Sequence, residues 1–146
     1  MTENVQVTIK GLQNDSVDEN VIESINMGQF IEINNKIYVK YDEILDGESS
    51  LTKNIIKIDN GNVEITKRGP ISTHMRFCAN EKTISLYNTP FGSLYLSIFT
   101  RSVLIDRKED IIYIFIDYSL EVNEEQLSEY KMEICIKTKE IAEQSI

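Results

Sequence analysis

Residues 51–68 read LTKNIIKIDNGNVEITKR, and this stretch decides the fold class. Two runs rich in Ile, Val and Thr flank Asp59-Asn60-Gly61-Asn62. Branching at Cβ stiffens these side chains and suits them to a pleated strand. Asn-Gly is what a two-residue hairpin turn asks for, because its central residues take φ > 0. The stretch predicts Leu51 to Ile58 pairing back with Val63 to Arg68.

The same pattern repeats in both directions. Upstream, Val5, Val7 and Ile9 alternate with polar residues, and Val21 to Ile33 is a long β-rich run in which Gly28 marks a bend or bulge. Asn34-Asn35 reads as a tight turn. Ile37, Val39 and Tyr41 then share one face, and Asp46-Gly47-Glu48-Ser49-Ser50 is a polar loop. Downstream come Thr73 to Ala79, Thr83 to Thr89 and, after Pro90-Phe91-Gly92, Ser93 to Ser102. Ile111 to Leu120 is the most apolar strand, Glu121 to Gln126 an acidic connection, and Glu129 to Thr138 the last strand. The tail from Lys139 is a frayed helical turn or disordered. About ten short strands without crossover helices imply antiparallel up-and-down connectivity. A sheet of that width tends to curl and close, which removes its edges. The expectation is one all-β, antiparallel up-and-down barrel of eight to ten strands over residues 1–146, with a two-sheet sandwich as the alternative.

Composition agrees. The chain of 146 residues has 23 Ile and only 2 Ala, so the best helix former is nearly absent. Its net charge of −9 and pI near 4.6 oppose general nucleic-acid binding. No apolar run approaches the roughly 20 residues of a spanning helix. The start MTENVQVTIK lacks the apolar h-region of a signal peptide, which points to the cytoplasm. Cys78 and Cys135 stand far apart and outside any CxxC pair, so they read as free thiols.

Reading from Tyr38, the chain runs YVKYDE, LTK, ITKRGP, HMRF, YNTPFGSLYLSIFT and IDYSL. In order and spacing this series resembles the YwiB-like proteins of Gram-positive bacteria, a family of unknown function with a calycin-like (lipocalin-like) β-barrel. The resemblance runs from about Val5 to Thr138, and it departs at Phe91, where the family turn carries Tyr. It implies a barrel and supplies no function. Calycin barrels often carry apolar ligands, which by analogy of fold implies a lumenal ligand here. Residues 11–20, GLQNDSVDEN, lack the apolar helical stripe that a lid over such a barrel would need.

Glu43 continues the Ile37, Val39, Tyr41 face and so points inward. A buried carboxylate needs a partner. Arg68 is the candidate, with Tyr41, Tyr87, Thr89 and Thr100 as polar neighbours. Either Arg68 binds an anionic head group inside the barrel with Tyr hydroxyls beside it, or Glu43 and Arg68 form an internal pair that fixes register or sit at the barrel rim in water. Parity sets Arg68 apart from Val63 and Ile65, and Tyr87 apart from Ile84 and Leu86. His74 is the single histidine, and no His/Cys spacing suits a metal, so no cofactor is expected. Nothing near Tyr41 and Glu43 offers a nucleophile, so no enzyme chemistry is expected. Arg101, Arg107 and Lys108 read as solvated charges. Two functions remain open for a monomer or weak homodimer: binding of a small apolar or amphipathic ligand, or a protein-interaction module with a filled barrel. For the second, Phe91 and Phe99 are the outward aromatics.

Overall fold

A computed structural model describes residues 2–13, 21–44, 51–122 and 125–144. Ten strands follow one another: β1 (Thr2–Gln13), β2 (Val21–Ile33), β3 (Lys36–Ile44), β4 (Leu51–Asp59), β5 (Asn62–Arg68), β6 (Ser72–Phe77), β7 (Lys82–Thr89), β8 (Gly92–Arg107), β9 (Ile111–Val122) and β10 (Glu125–Thr138). A short helix, α1 (Lys139–Gln144), ends the described chain. Each strand pairs antiparallel with its sequence neighbours, and β1 pairs with β10. The sheet is therefore one closed up-and-down barrel and not a sandwich. Asn34, Asn35, Asn60 and Gly61 all take positive φ, as their tight turns require. The acidic connection expected at Glu121 to Gln126 is shorter than that, because β9 runs through Val122 and β10 begins at Glu125. The polar loop at 46–50 and the 14–20 part of the lid-less stretch lie outside the described residues.

Closure tilts the strands, by roughly 35–45° in barrels generally. Rows of directly paired residues therefore climb the wall instead of running level. Along each strand alternate side chains enter the lumen. At the end holding the 34–35 and 60–61 turns, the inward side chains are almost all aliphatic. Val5, Val7, Ile37, Val39, Ile56, Ile58, Val63, Ile112, Ile114 and Ile136 belong to one buried cluster there. A bidentate ion pair joins β2 to β8 across that end, Arg107 Nη1 and Nη2 donating to the Glu32 carboxylate at 2.8 and 2.9 Å. The guanidinium holds the Glu32 carboxyl below its ordinary range. Arg107 is thus a latch and not a free surface charge.

Besides a register shift of β10 against β9 between Gln126 and Ser128, two irregularities interrupt the wall. The β8–β9 register shifts between Thr100 and Ser102, making Arg101 the extra residue of a bulge. Before it Ile98 and Thr100 face inward; after it Val103 and Ile105 do. Arg101 turns outward and is held by Asp117 (Nη2 to Oδ1, 2.6 Å) and Glu129 (3.5 Å). The second irregularity is the β6–β7 seam, which carries only two ladder pairs, Ser72↔Asn88 and Thr73↔Tyr87. Farther along it, hydroxyls replace the ladder. Ser85 Oγ donates to the His74 carbonyl and Thr83 Oγ1 to the Arg76 carbonyl, both at 2.7 Å.

Gly28 makes no bulge against β1, where the register runs unbroken through it, and against β3 the ladder ends at it. It is needed for close approach. A Cβ there would stand 2.6 Å from the Lys40 carbonyl oxygen and 3.1 Å from Tyr41 Cβ. Gly28→Ala should therefore push β2 off β3, lowering stability by about 1–3 kcal/mol. A drop in urea midpoint checks this, and an unchanged midpoint contradicts it.

Candidate functional site

Followed from the aliphatic end, the inward rows change character. On β3 the row is Ile37, Val39, Tyr41, Glu43; on β4 it is Ile58, Ile56, Asn54, Thr52; on β5 it is Val63, Ile65, Lys67. On β6 Phe77 and Met75 give way to Thr73. On β9 Ile112, Ile114 and Ile116 give way to Tyr118, and on β10 Ile136, Ile134 and Met132 give way to Tyr130 and Ser128. All six rows change in the same direction, toward the end where the 69–71 and 90–91 turns leave the wall. The result is a polar and aromatic layer above an aliphatic one.

Glu43 is the inward carboxylate of that layer. Its Oε1 accepts from Lys67 Nζ at 3.1 Å and, at a long 3.5 Å, from Asn54 Nδ2. Asn54 Nδ2 also donates to the Thr52 carbonyl at 3.3 Å, which fixes the amide orientation. Tyr118 stacks on Tyr130 (centroids 5.4 Å apart) and meets Phe77 edge-on at 5.0 Å. Three buried polar atoms have no hydrogen-bond partner among the described residues: Tyr41 Oη, Asn54 Oδ1 and Thr100 Oγ1. Their residues are at most 4% exposed. Tyr41 and Asn54 are cross-strand partners. Thr100 lies on β8, paired with Tyr118 and beside the 80–81 turn that bonds its backbone. A buried polar atom without a partner is costly, so three on one layer demand an explanation.

Of the residues expected at a site, Tyr41, Glu43 and Thr100 line this layer. Tyr87 does too, with Ser85 and Thr83. The inward face of β7 is this polar one, and Ile84 is 71% exposed outside. Arg68 does not belong. It is exposed on the outer face, paired across the ladder with Lys53, and Lys67 takes the role expected of it. Thr89 is spent on its turn, accepting from Phe91 N at 3.1 Å and donating to the Gly92 carbonyl at 2.9 Å. Lys67, Asn54, Tyr118 and Tyr130 were missed, yet extending the Val63-Ile65, Ile58-Ile56, Ile114-Ile116 and Ile134-Met132 alternations by one step reaches each. His74 faces outward, with Nε2 3.8 Å from Glu64. Both cysteines are free, and burial raises both thiols. No group of three or more His, Cys, Asp and Glu gathers among the described residues, and no helix among them is long and apolar enough to cross a membrane.

A closed ten-stranded wall with one polar inner layer defines a small β-barrel protein. Residues 7–134 match the family described as "Domain of unknown function (DUF1934)", and the chain belongs to that family. It is similar to the "Uncharacterized beta-barrel protein YwiB" of Bacillus subtilis (strain 168), with 29% identity over 130 residues, 89% of this chain and 90% of that one. The crystal structure of the ywiB protein from Bacillus subtilis superposes with a TM-score of 0.82 at 27% identity, covering 94% of this chain and 92% of that one. The YwiB-like resemblance in the sequence is thereby confirmed, and the function of the family is unknown.

The buried phenols carry a pH signature. Tyr41 is held above the ordinary tyrosine value of 10.0 by burial and then by the Glu43 charge; Tyr118 is held above it by burial and then by Tyr130. Above that value the unfolded chain loses these protons while the folded one keeps them. Their contribution to stability is thus complete below pH 10 and lost as pH rises toward the raised values. Urea titrations on the alkaline side should show stability falling by up to about 1.4 kcal/mol per pH unit per tyrosine. Tyr118→Phe should remove about half of that slope; a wild-type slope would contradict the assignment.

Proposed function

We propose that the protein binds a small molecule in the polar layer of its barrel, without catalysis, as a carrier or sensor. The observation that supports this reading is the set of three buried, unpartnered polar atoms on inward rows of the barrel, Tyr41 Oη, Asn54 Oδ1 and Thr100 Oγ1. A ligand that hydrogen-bonds there removes the cost of burying them. The aromatic rings of Phe77, Tyr118 and Tyr130 pack together on the inward rows, so an amphipathic molecule suits this lumen better than a purely apolar one. A non-catalytic role is favoured because the buried phenols stay protonated near neutrality and the Glu43 carboxylate is already engaged by Lys67. The free thiols suit a reducing compartment, so we place the protein in the cytoplasm. Its charge of −9 makes nucleic acid a poor partner.

A second reading, an interaction module, draws on the outside of the wall. Ile25, Tyr113 and Phe115 help to line a groove of about 420 Å³ across β2, β1, β10 and β9, and Leu104 stands beside Phe115, 63% exposed. Tyr113 and Phe115 stack at 6.5 Å. Lys10, Lys137, Glu23 and Glu133 bring both signs of charge to this groove, so a second copy of the chain is its simplest occupant. Phe91 is fully exposed at its turn, away from this groove, and Phe99 is half-buried.

Native mass spectrometry of protein purified gently from its own host separates the readings. Binding predicts a reproducible added mass on the order of a few hundred daltons, lost on denaturation. A bare chain mass at low micromolar protein removes the tight carrier. The module predicts a dimer in sedimentation equilibrium that Phe115→Ser dissociates; a monomer at high micromolar concentration removes it.

A further inference from the structure

We infer that the outside of the barrel carries a site of its own, separate from the lumen: a hollow beside Arg68 that takes the phosphomonoester group of a small molecule.

The wall is unevenly charged. The chain has 24 acidic residues against 15 basic ones. Yet the outward rows of β3 to β6 carry six cations, Lys36, Lys40, Lys53, Lys57, Arg68 and Arg76, against three acids, Asp42, Asp59 and Glu64. Asp59 answers Lys36 at 3.8 Å, and Glu64 answers Arg76 at 3.0 Å. Lys57 lies over the Tyr38 ring, 5.9 Å from its centroid. Lys53 has Asp42 across the ladder on one side and Arg68 on the other. Arg68 itself is exposed and makes no ion pair among the described residues; the side chain directly opposite it is the like charge of Lys53. Like charges in that relation are destabilising. β4 and β5 are each paired on both sides, so these charges guard no open edge. An anion at Arg68 would relieve the repulsion.

The ladder builds a hollow at that point. Thr66 stands across from His74, and Ser72 across from Asn88, while Arg68 follows Thr66 on the same face. With Leu86 they help to line a space of about 370 Å³ whose lining includes no carboxylate. That volume suits a small molecule. Asn88 Oδ1 accepts from Ser93 Oγ, which leaves Nδ2 to donate, and Thr66 adds a hydroxyl. Ser72 serves the turn instead, its Oγ donating to the Gly69 carbonyl at 3.3 Å and accepting from Gly69 N at 3.4 Å. Gly69 lies so close to β4 that a Cβ would stand 3.1 Å from Thr52 Cα, which fixes the backbone next to Arg68.

The donors name the ligand. A guanidinium fork, an amide and a hydroxyl on three strands match a tetrahedral group with three free oxygens better than a flat carboxylate with two. Leu86 offers apolar contact to the body that carries the phosphate. A net charge of −9 repels a polyanion as a whole, so the group arrives on a small molecule and not on nucleic acid.

Phenyl phosphate, benzoate and a short oligothymidylate test this on the full chain, read on the Arg68 Nε–H and the Asn88 side-chain amide in ¹H–¹⁵N spectra. Phenyl phosphate should move both signals saturably, and benzoate should bind roughly fivefold more weakly. The oligonucleotide should bind no more tightly than phenyl phosphate. Arg68→Gln should weaken phenyl phosphate roughly tenfold and Asn88→Ala roughly threefold. Lys57→Gln, on the same outer face but away from the hollow, should leave binding unchanged. Free Arg68→Gln should keep or raise its thermal midpoint, because a like-charge contact is lost. The inference is overturned if the shifts do not saturate, if benzoate or the oligonucleotide binds as well as phenyl phosphate, or if Arg68→Gln and Asn88→Ala bind normally. It is overturned equally if Lys57→Gln weakens binding as much as Arg68→Gln. Loss of this site leaves the lumenal reading untouched.

Discussion

The ladder between β1 and β10 is the constraint on which everything else in this barrel depends. It runs from Val5↔Thr138 to Gln13↔Tyr130 and joins the two ends of the sequence. Without it the sheet would have two open edges and an inner face with nothing opposite. With it the outer sides of β1 and β10 are paired, and the strands must tilt for the register to meet itself. Closure also requires a wall able to change direction, and the Arg101 bulge, pinned by Asp117 and Glu129, gives β8 that freedom.

The wall itself was legible because its signals are local. Period-2 alternation identified the strands, and Asn34-Asn35 and Asn60-Gly61 identified two hairpins. The lumen was legible only where one face of a strand is plainly apolar. On β3 that condition held, and Tyr41 and Glu43 were placed inward from sequence. On β7 it failed, because Ile84 and Leu86 mimic a core face while Thr83, Ser85 and Tyr87 are the ones inside. Apolarity marks burial only on average, and an outward Ile on a barrel wall looks the same in sequence as an inward one. On β8 one extra residue inverted the parity midway, which no alternation rule foresees. Arg68 was named as the partner of Glu43, although the Val63-Ile65 alternation leads to Lys67.

The two layers of the lumen stand in opposition. The aliphatic layer satisfies every rule of a stable core: branched side chains, no polar atoms, an ion pair across its end. The polar layer breaks those rules at Tyr41, Asn54 and Thr100. A chain under pressure for stability alone would carry Phe, Leu and Val there. Local departures of this kind, supported by an otherwise consistent fold, are where function is expected.

The thin β6–β7 seam gives the wall an uneven strength. Most of a barrel's circumference resists opening because parting two strands breaks a whole ladder at once. Between β6 and β7, two hydroxyl bonds stand where a backbone ladder would run, and water can replace a hydroxyl far more readily than a cooperative ladder. The wall therefore has a preferred line of parting, from the polar layer down along Ser85 and Thr83. Parting along that line would uncover Thr73 and Tyr87 first and leave the Ile-rich layer shut. The strength of the wall at its thinnest seam is thus a property of two side-chain oxygens.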